Sequence, residues 1–287
     1  TDTPRFIEVV RNFIRAHVAM YEAIKEADTV DADGDGVAAQ VGMTLSLVAW
    51  SPARDNEPSD DPEDVAAAEL MRYVYHEMFP QAVIEGRFDP NFDGVPEEEH
   101  PEWAGHLDWL GPQYYFRAGV TAKVPLLPLL GVAVCFSGFD FGSCLDPEDP
   151  TFWVPSMEYE YWAPGLSEIL IELSERWPNL PLVVTEAGIA TENGDRRSEN
   201  IVRTLEQIRI AQDQGADIRG YYHWSLLDNF EWSEGFEPRF GLFHVDFETG
   251  ERSPSSAVSV LSEITLSRRV SPELRQRFGG VGVMTEE

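Results

Sequence analysis

The spacing of apolar residues switches back and forth along this chain in a fixed order, and that order limits the folds open to it. Residues 3–25 place Phe6, Val9, Val10, Phe13, Ile14 and Val18 at the spacing of one helix face. A polar turn follows, and the run from Val41 to Val48 reads as a buried strand. Pro62 and the acidic residues after it start a second helix that reaches Val83. The alternation then repeats: a strand at 106–116, a loop-rich stretch to about 160, a helix at 163–177 and a strand at 180–190. A helix at 198–216, with Gly215 as its stop, precedes a strand at 218–230 and a last helix at about 254–266. One helix, then strand and helix four times over, predicts a parallel sheet. Four βα units are half of a (β/α)8 TIM barrel. A small doubly wound, nucleotide-binding sheet is the alternative, but no Gly-rich phosphate loop follows any strand. The end of the chain, 271–287, reads as a surface appendage.

At 287 residues and 43% hydrophobic, the chain can bury a large core. No apolar run reaches the roughly 18 residues of a membrane span. The run "VPLLPLLGVAVCF", broken by Pro128 and Gly131, reads as a buried loop or strand. A formal charge of -30, with Lys25 and Lys123 the only lysines, makes nucleic acid and anionic membrane poor partners. Cys135 and Cys144 are near enough in sequence to close a short loop in an oxidising compartment, periplasmic or extracellular; two free thiols are the alternative. Because the first residue is Thr1 and not Met, a processed chain or a missing front is expected. "DADGDG" places Asp31, Asp33 and Asp35 at calcium-loop spacing, but Gly42 stands where the loop needs its bidentate Glu, so a polar turn is the preferred reading.

Two segments carry chemistry. "LPLVVTEAG" ends an apolar strand with Glu186, at the strand end where such barrels hold their active sites. "YYHWSLLDNFEWSEGFEPRFGL" sets Trp224, Glu231, Trp232 and Phe240 around and beyond the next strand end. Indole rings stack on the apolar faces of sugars and carboxylates accept from their hydroxyls, so this mixture suits a carbohydrate site. A core aromatic cluster is the plainer reading, and it weighs most for Trp224.

Residues 181–246 resemble the family 1 glycoside hydrolases, the β-glucosidase and β-galactosidase family, in "VVTEAGIA" and in "HWSLLDNFEWSEGFEPRFGL". The resemblance extends to "RNFIRAHVAMYEAIK", "VGMTLSLVAWSPA", "WLGPQYY" and "EYEYWAPGLSEIL", which match elements from the helix after the fourth strand onward. It implies that residues 1–270 are the C-terminal part of one catalytic (β/α)8 domain, strands five to eight, with 271–287 as a tail. It implies Glu186 as nucleophile and Tyr115 as its hydrogen-bond donor. Trp224, Glu231, Trp232, Phe240 and Gln113 become substrate-binding residues. The activity implied is that of a retaining β-glycosidase on neutral sugars, with no metal or organic cofactor. Its partners are a β-glycoside or oligosaccharide and a missing N-terminal half-barrel carrying the acid/base Glu. A noncatalytic carbohydrate-binding pseudoenzyme is the alternative. The chain departs from the family in Ala187 and Gln113, and in Ser46, where Asn is usual. Asn56-Glu57-Pro58 has the tripeptide of the family's acid/base, but it follows strand five and not strand four, and is read as a loop coincidence.

Overall fold

The computed structural model describes residues 2–127, 129–135 and 139–287; Pro128 and Phe136 of the apolar run lie outside them. Helix α1 (Thr3–Ala27) comes first, with the Asp2 carboxylate accepting from the Arg5 N–H. Four long strands follow, β1 (Gly42–Arg54), β2 (Trp109–Thr121), β3 (Leu182–Ala187) and β4 (Ile218–His223). They lie side by side in chain order, each parallel to the next. Behind β1 run α2 (Pro62–Arg72) and α3 (Met78–Glu85), joined without a break by a π-helical turn at Tyr73–Glu77. After β2 comes α4 (Pro164–Arg176) and after β3 comes α5 (Gly194–Asp213). β4 is followed by α6 (Ala257–Ser267) and α7 (Pro272–Phe278). This curled sheet with its outer helices is half of a (β/α)8 barrel, as the alternation predicts.

The main core lies between sheet and helices. Leu47, Leu110, Leu182 and Val184 from the strands meet Leu166 and Leu170 of α4. Strict alternation would send every second residue to the opposite, interior face. Register shifts change that count, and two of them lie beside the polar row of the interior face. Between the pairs Leu47–Tyr114 and Ala49–Arg117, β2 advances one residue more than β1. Between Tyr221–Val184 and His223–Ala187, β3 advances one residue more than β4. Each extra residue is a β-bulge, which re-aims the side chains beside it. The bulges fall at Tyr115–Phe116 and at Thr185–Glu186. A bulge leaves a ladder N–H without its strand partner, and the Val48 N–H opposite the first one instead donates to His76 Nε2 at 3.3 Å. His76 comes from the π turn and is buried.

The structure adds what the loop-rich reading of 117–160 did not contain. β2 runs past the barrel and pairs antiparallel with Ala133–Val134 and, at Arg117, with Glu160 of a small hairpin, Trp153–Val154 against Tyr159–Glu160. Arg117 and Glu160 form a two-point ion pair at 2.6 and 2.9 Å. Cys135 and Cys144 are joined in a disulfide, their Cα atoms 4.7 Å apart. β1 also continues further than Val48 and folds back at Asp55 and Asn56, both at positive φ, so that Glu57–Pro58 pairs with Ala53–Arg54. The Asn-Glu-Pro tripeptide is therefore a hairpin tip with Glu57 exposed to solvent. Asp31, Asp33 and Asp35 are exposed and close together, and each accepts from N–H groups of its own turn.

The end of the chain corrects the expectation of a surface appendage. Leu274 and Phe278 of α7 pack into a cluster with Ile201 and Val202 of α5, and Met284 is only 4% exposed in another. Among the described residues, no helix is long and apolar enough to cross a membrane.

Candidate active site

The interior face of the sheet carries a row of polar groups in register: Ser46 on β1 pairs with Gln113 on β2, which pairs with Glu186 on β3. Gln113 Nε2 donates to Glu186 Oε1 at 2.7 Å and the Tyr115 hydroxyl donates to Oε2 at 2.5 Å. Both oxygens of one half-buried carboxylate are thus held by neighbouring strand residues. Burial, and then the Glu186 carboxylate it donates to, push the Tyr115 phenol well above its ordinary pKa. Tyr115 therefore stays a donor. A carboxylate so oriented can act as a nucleophile or as an acceptor for a ligand's hydroxyl.

β4 ends against the same strand. The Trp224 N–H donates to Ala187 O at 3.0 Å, and the Trp224–Ser225 peptide is cis. Gly188 passes so close that a Cβ there would lie 1.9 Å from Trp224 O, so only glycine fits. Trp224 Nε1 donates to Glu231 Oε1 at 3.2 Å. Burial raises the Glu231 pKa, opposed by that bond and reinforced by the charge of Glu186. The predicted residues Glu186, Gln113, Tyr115, Trp224 and Glu231 are thus brought to one end of the sheet. Trp232 also lies there but is 83% exposed, on the open side. Phe240 differs from its expected role as a direct sugar contact. It is 2% exposed and stands edge-on to Tyr115 with ring centroids 5.8 Å apart, so it supports the site from behind.

Several residues that hold this geometry went unread in the sequence. Asp228, fully buried, accepts from the N–H groups of Gly241 and Val245 and from Arg239 Nη1, and so fixes the loop that carries Glu231. Its only sequence signal is an Asp-Asn pair just after a strand. Arg197, also fully buried, donates to the carbonyls of Thr191 and Arg239, tying the loop after β3 to the one before Phe240. Its charge and, before that, burial hold the His223 imidazole down at about 3. Beside the β2 bulge lies a cavity of about 200 Å³ whose lining includes Phe116, Arg117, Trp153, Tyr159 and Glu234.

Residues 1–269 match the model of a family described as Glycosyl hydrolase family 1. A beta-galactosidase of Pyrococcus woesei is 31% identical over 277 residues, which cover 94% of this chain and 52% of that protein. A beta-galactosidase of Sulfolobus acidocaldarius is also 31% identical, over 94% of this chain and 50% of its own length. Among solved structures, a beta-glycosidase from Pyrococcus horikoshii superposes with a TM-score of 0.75 at 29% identity, covering 96% of this chain and 57% of that one. The chain spans about half the length of the relatives it matches.

Proposed function

From the premise that the chain belongs to glycosyl hydrolase family 1, we propose that Glu186 is the nucleophile of a retaining β-glycosidase acting on neutral, nonreducing-end β-glucosides or β-galactosides. The observation that carries the reading is the double hold on Glu186, by Gln113 on one oxygen and Tyr115 on the other. In this reading Glu186 attacks the anomeric carbon while a partner carboxylic acid protonates the departing oxygen. The glycosyl-enzyme then yields to water activated by that same partner. The two carboxyl groups of a retaining pair stand roughly 5–5.5 Å apart. We assign the partner to four further βα units that complete the barrel, since the exposed hairpin tip at Glu57 offers no such approach. Residues 1–270 would then be the C-terminal part of one catalytic domain. Trp224 would form the platform under the sugar and Glu231 would accept from its outer hydroxyls. The leaving group would lie toward the cavity beside Phe116.

The test uses the full-length polypeptide containing this chain, or this chain co-expressed with an N-terminal half-barrel. Aryl β-glucosides are expected to be hydrolysed with retention, seen as the first anomer formed. Glu186→Ala should nearly abolish turnover and Glu57→Gln should leave it nearly intact. Sugar binding without turnover by the completed assembly would instead favour the noncatalytic alternative.

A further inference from the structure

The last residues of the chain lie along α5 with most side chains exposed, and bury Met284 behind the candidate site. Arg203 of α5 donates to the carbonyls of Gly282 and Val283 at 2.7 and 3.0 Å. Glu199, one turn earlier, accepts from the Thr285 N–H and hydroxyl at 2.8 and 2.7 Å. Asn193 at the helix cap donates to Glu286 O at 2.8 Å. Arg196 is 1% exposed and joins three parts of the molecule: it donates to Thr285 O and Trp153 O and pairs with Glu287. The Met284 N–H donates to Thr151 Oγ1 at 2.9 Å. Its side chain enters a buried cluster with Val154, Tyr161, Ile189 and Phe240, against which Tyr115 and Trp224 pack.

We propose that Met284, held by the strap Gly282–Glu287, is a positioning residue of the glycosidase site, fixing the 151–160 hairpin and the packing behind Tyr115 and Trp224. The proposal rests on the glycosidase reading for its kinetic consequence, but its structural part does not. The ion pairs and hydrogen bonds bind the strap to α5, to its cap Asn193 and to Thr151, and none of them is made to Ser46, Gln113 or Glu186. Their effect on chemistry must therefore pass through the cluster. A misplacement of about 1 Å at a reacting centre can cost about 100-fold in rate, which is why a remote packing residue can govern turnover. Substrate contacts in the open part of the site, such as Trp232, would be spared.

Deleting Gly282–Glu287 in the active assembly is expected to lower kcat/KM on an aryl β-glucoside by about 10-fold or more, mostly in kcat. A free peptide with the sequence of Val281–Glu287 should restore it, and the same peptide carrying Met284→Ser should not. Leu274→Ala, which loosens the neighbouring α6–α7 cluster, should lower Tm without this kinetic signature. Unchanged kcat, or a loss that the peptide does not reverse and that follows Tm as in Leu274→Ala, would overturn the proposal. If the intact assembly hydrolyses nothing, the glycosidase reading fails separately and hydrogen exchange at residues 151–160 decides. Faster exchange on deletion, reversed by the peptide, supports the strap; exchange that does not change removes it.

Discussion

Glu186 accepts one hydrogen bond on each oxygen, and the two donors differ in what they can supply. The Gln113 amide is neutral at any pH, while the Tyr115 phenol is held protonated by burial and by the carboxylate itself. Hydrogen bonds to a charged group contribute about 1.5–3 kcal/mol. Tyr115→Phe should therefore reduce kcat/KM roughly 10–100-fold in the completed assembly, against near-complete loss for Glu186→Ala. A Tyr115→Phe enzyme with unaltered kinetics would remove Tyr115 from the machinery. Glu231 decides a different question. Its carboxylate, bonded to the Trp224 indole, suits a sugar hydroxyl and repels a phosphate, and no lysine follows Lys123 to offset that repulsion. Arg239 is the basic side chain of that loop, and it is engaged by Asp228. Aryl glucosides should thus be preferred over their 6-phosphates by at least about tenfold in kcat/KM, roughly 1.4 kcal/mol. Side-by-side kinetics on the pair would show it, and a preference for the phosphate would remove Glu231 from the sugar.

At the level of elements, the π turn and the β2 bulge belong together. The bulge frees the Val48 N–H, the π turn brings His76 to it, and the acceptor nitrogen must be unprotonated. Burial, with the charge of Arg72 adding to it, lowers the His76 pKa to about 3. An unfolded chain would take up this proton near pH 6.5, so the unfolded state binds more protons than the folded one between about 3 and 6.5. This group's stability contribution is full above pH 6.5 and falls on acidification, by about 1.4 kcal/mol per pH unit. Urea unfolding of the completed assembly between pH 6.5 and 4.5 should show stability falling on acidification, and His76→Gln, which can still accept from Val48, should lessen the slope by about 1.4 kcal/mol per pH unit, the similarly depressed His223 keeping its own share. Equal slopes in the two proteins would contradict this role. The same elements show what the sequence could convey. β1 to β4 and their helices were legible because runs such as Leu45–Leu47 and Leu182–Val184 and the stripe of α4 record burial directly. The bulges were not, because one extra residue in a strand leaves no mark on composition. The extension of β2 was hidden because its partners are two-residue strands. The Trp and Glu residues of the site were legible as a chemical mixture, but the turning of Phe240 to the back depended on contacts from three separate loops. Met284 was missed because a short Gly-containing tail has no periodicity to reveal which residue it buries.

For the whole molecule, the four-stranded sheet has an unpaired flank along most of β1 and another along β4 among the described residues. Beside the first, α1 carries a second apolar stripe that faces water: Phe6, Val9, Phe13, Met20 and Ile24 share one side of the helix, with Phe13 65% exposed. Such edges and stripes pair with whatever reaches them. This chain by itself is therefore expected to self-associate or to melt without cooperativity despite its charge of -30, and an N-terminal half-barrel should convert it to a cooperative monomeric unit. Sedimentation and thermal unfolding of the isolated chain test this; a monodisperse monomer with a sharp transition would contradict it. The strap has a further consequence in time. Synthesis at roughly 5–20 residues per second brings Met284 off the ribosome some 5–20 seconds after Glu186. During that interval the strand bearing the carboxylate is already made, while the residue that closes the packing behind its partners is not. Until Met284 arrives, the packing behind Tyr115 and Trp224 lacks one of its members.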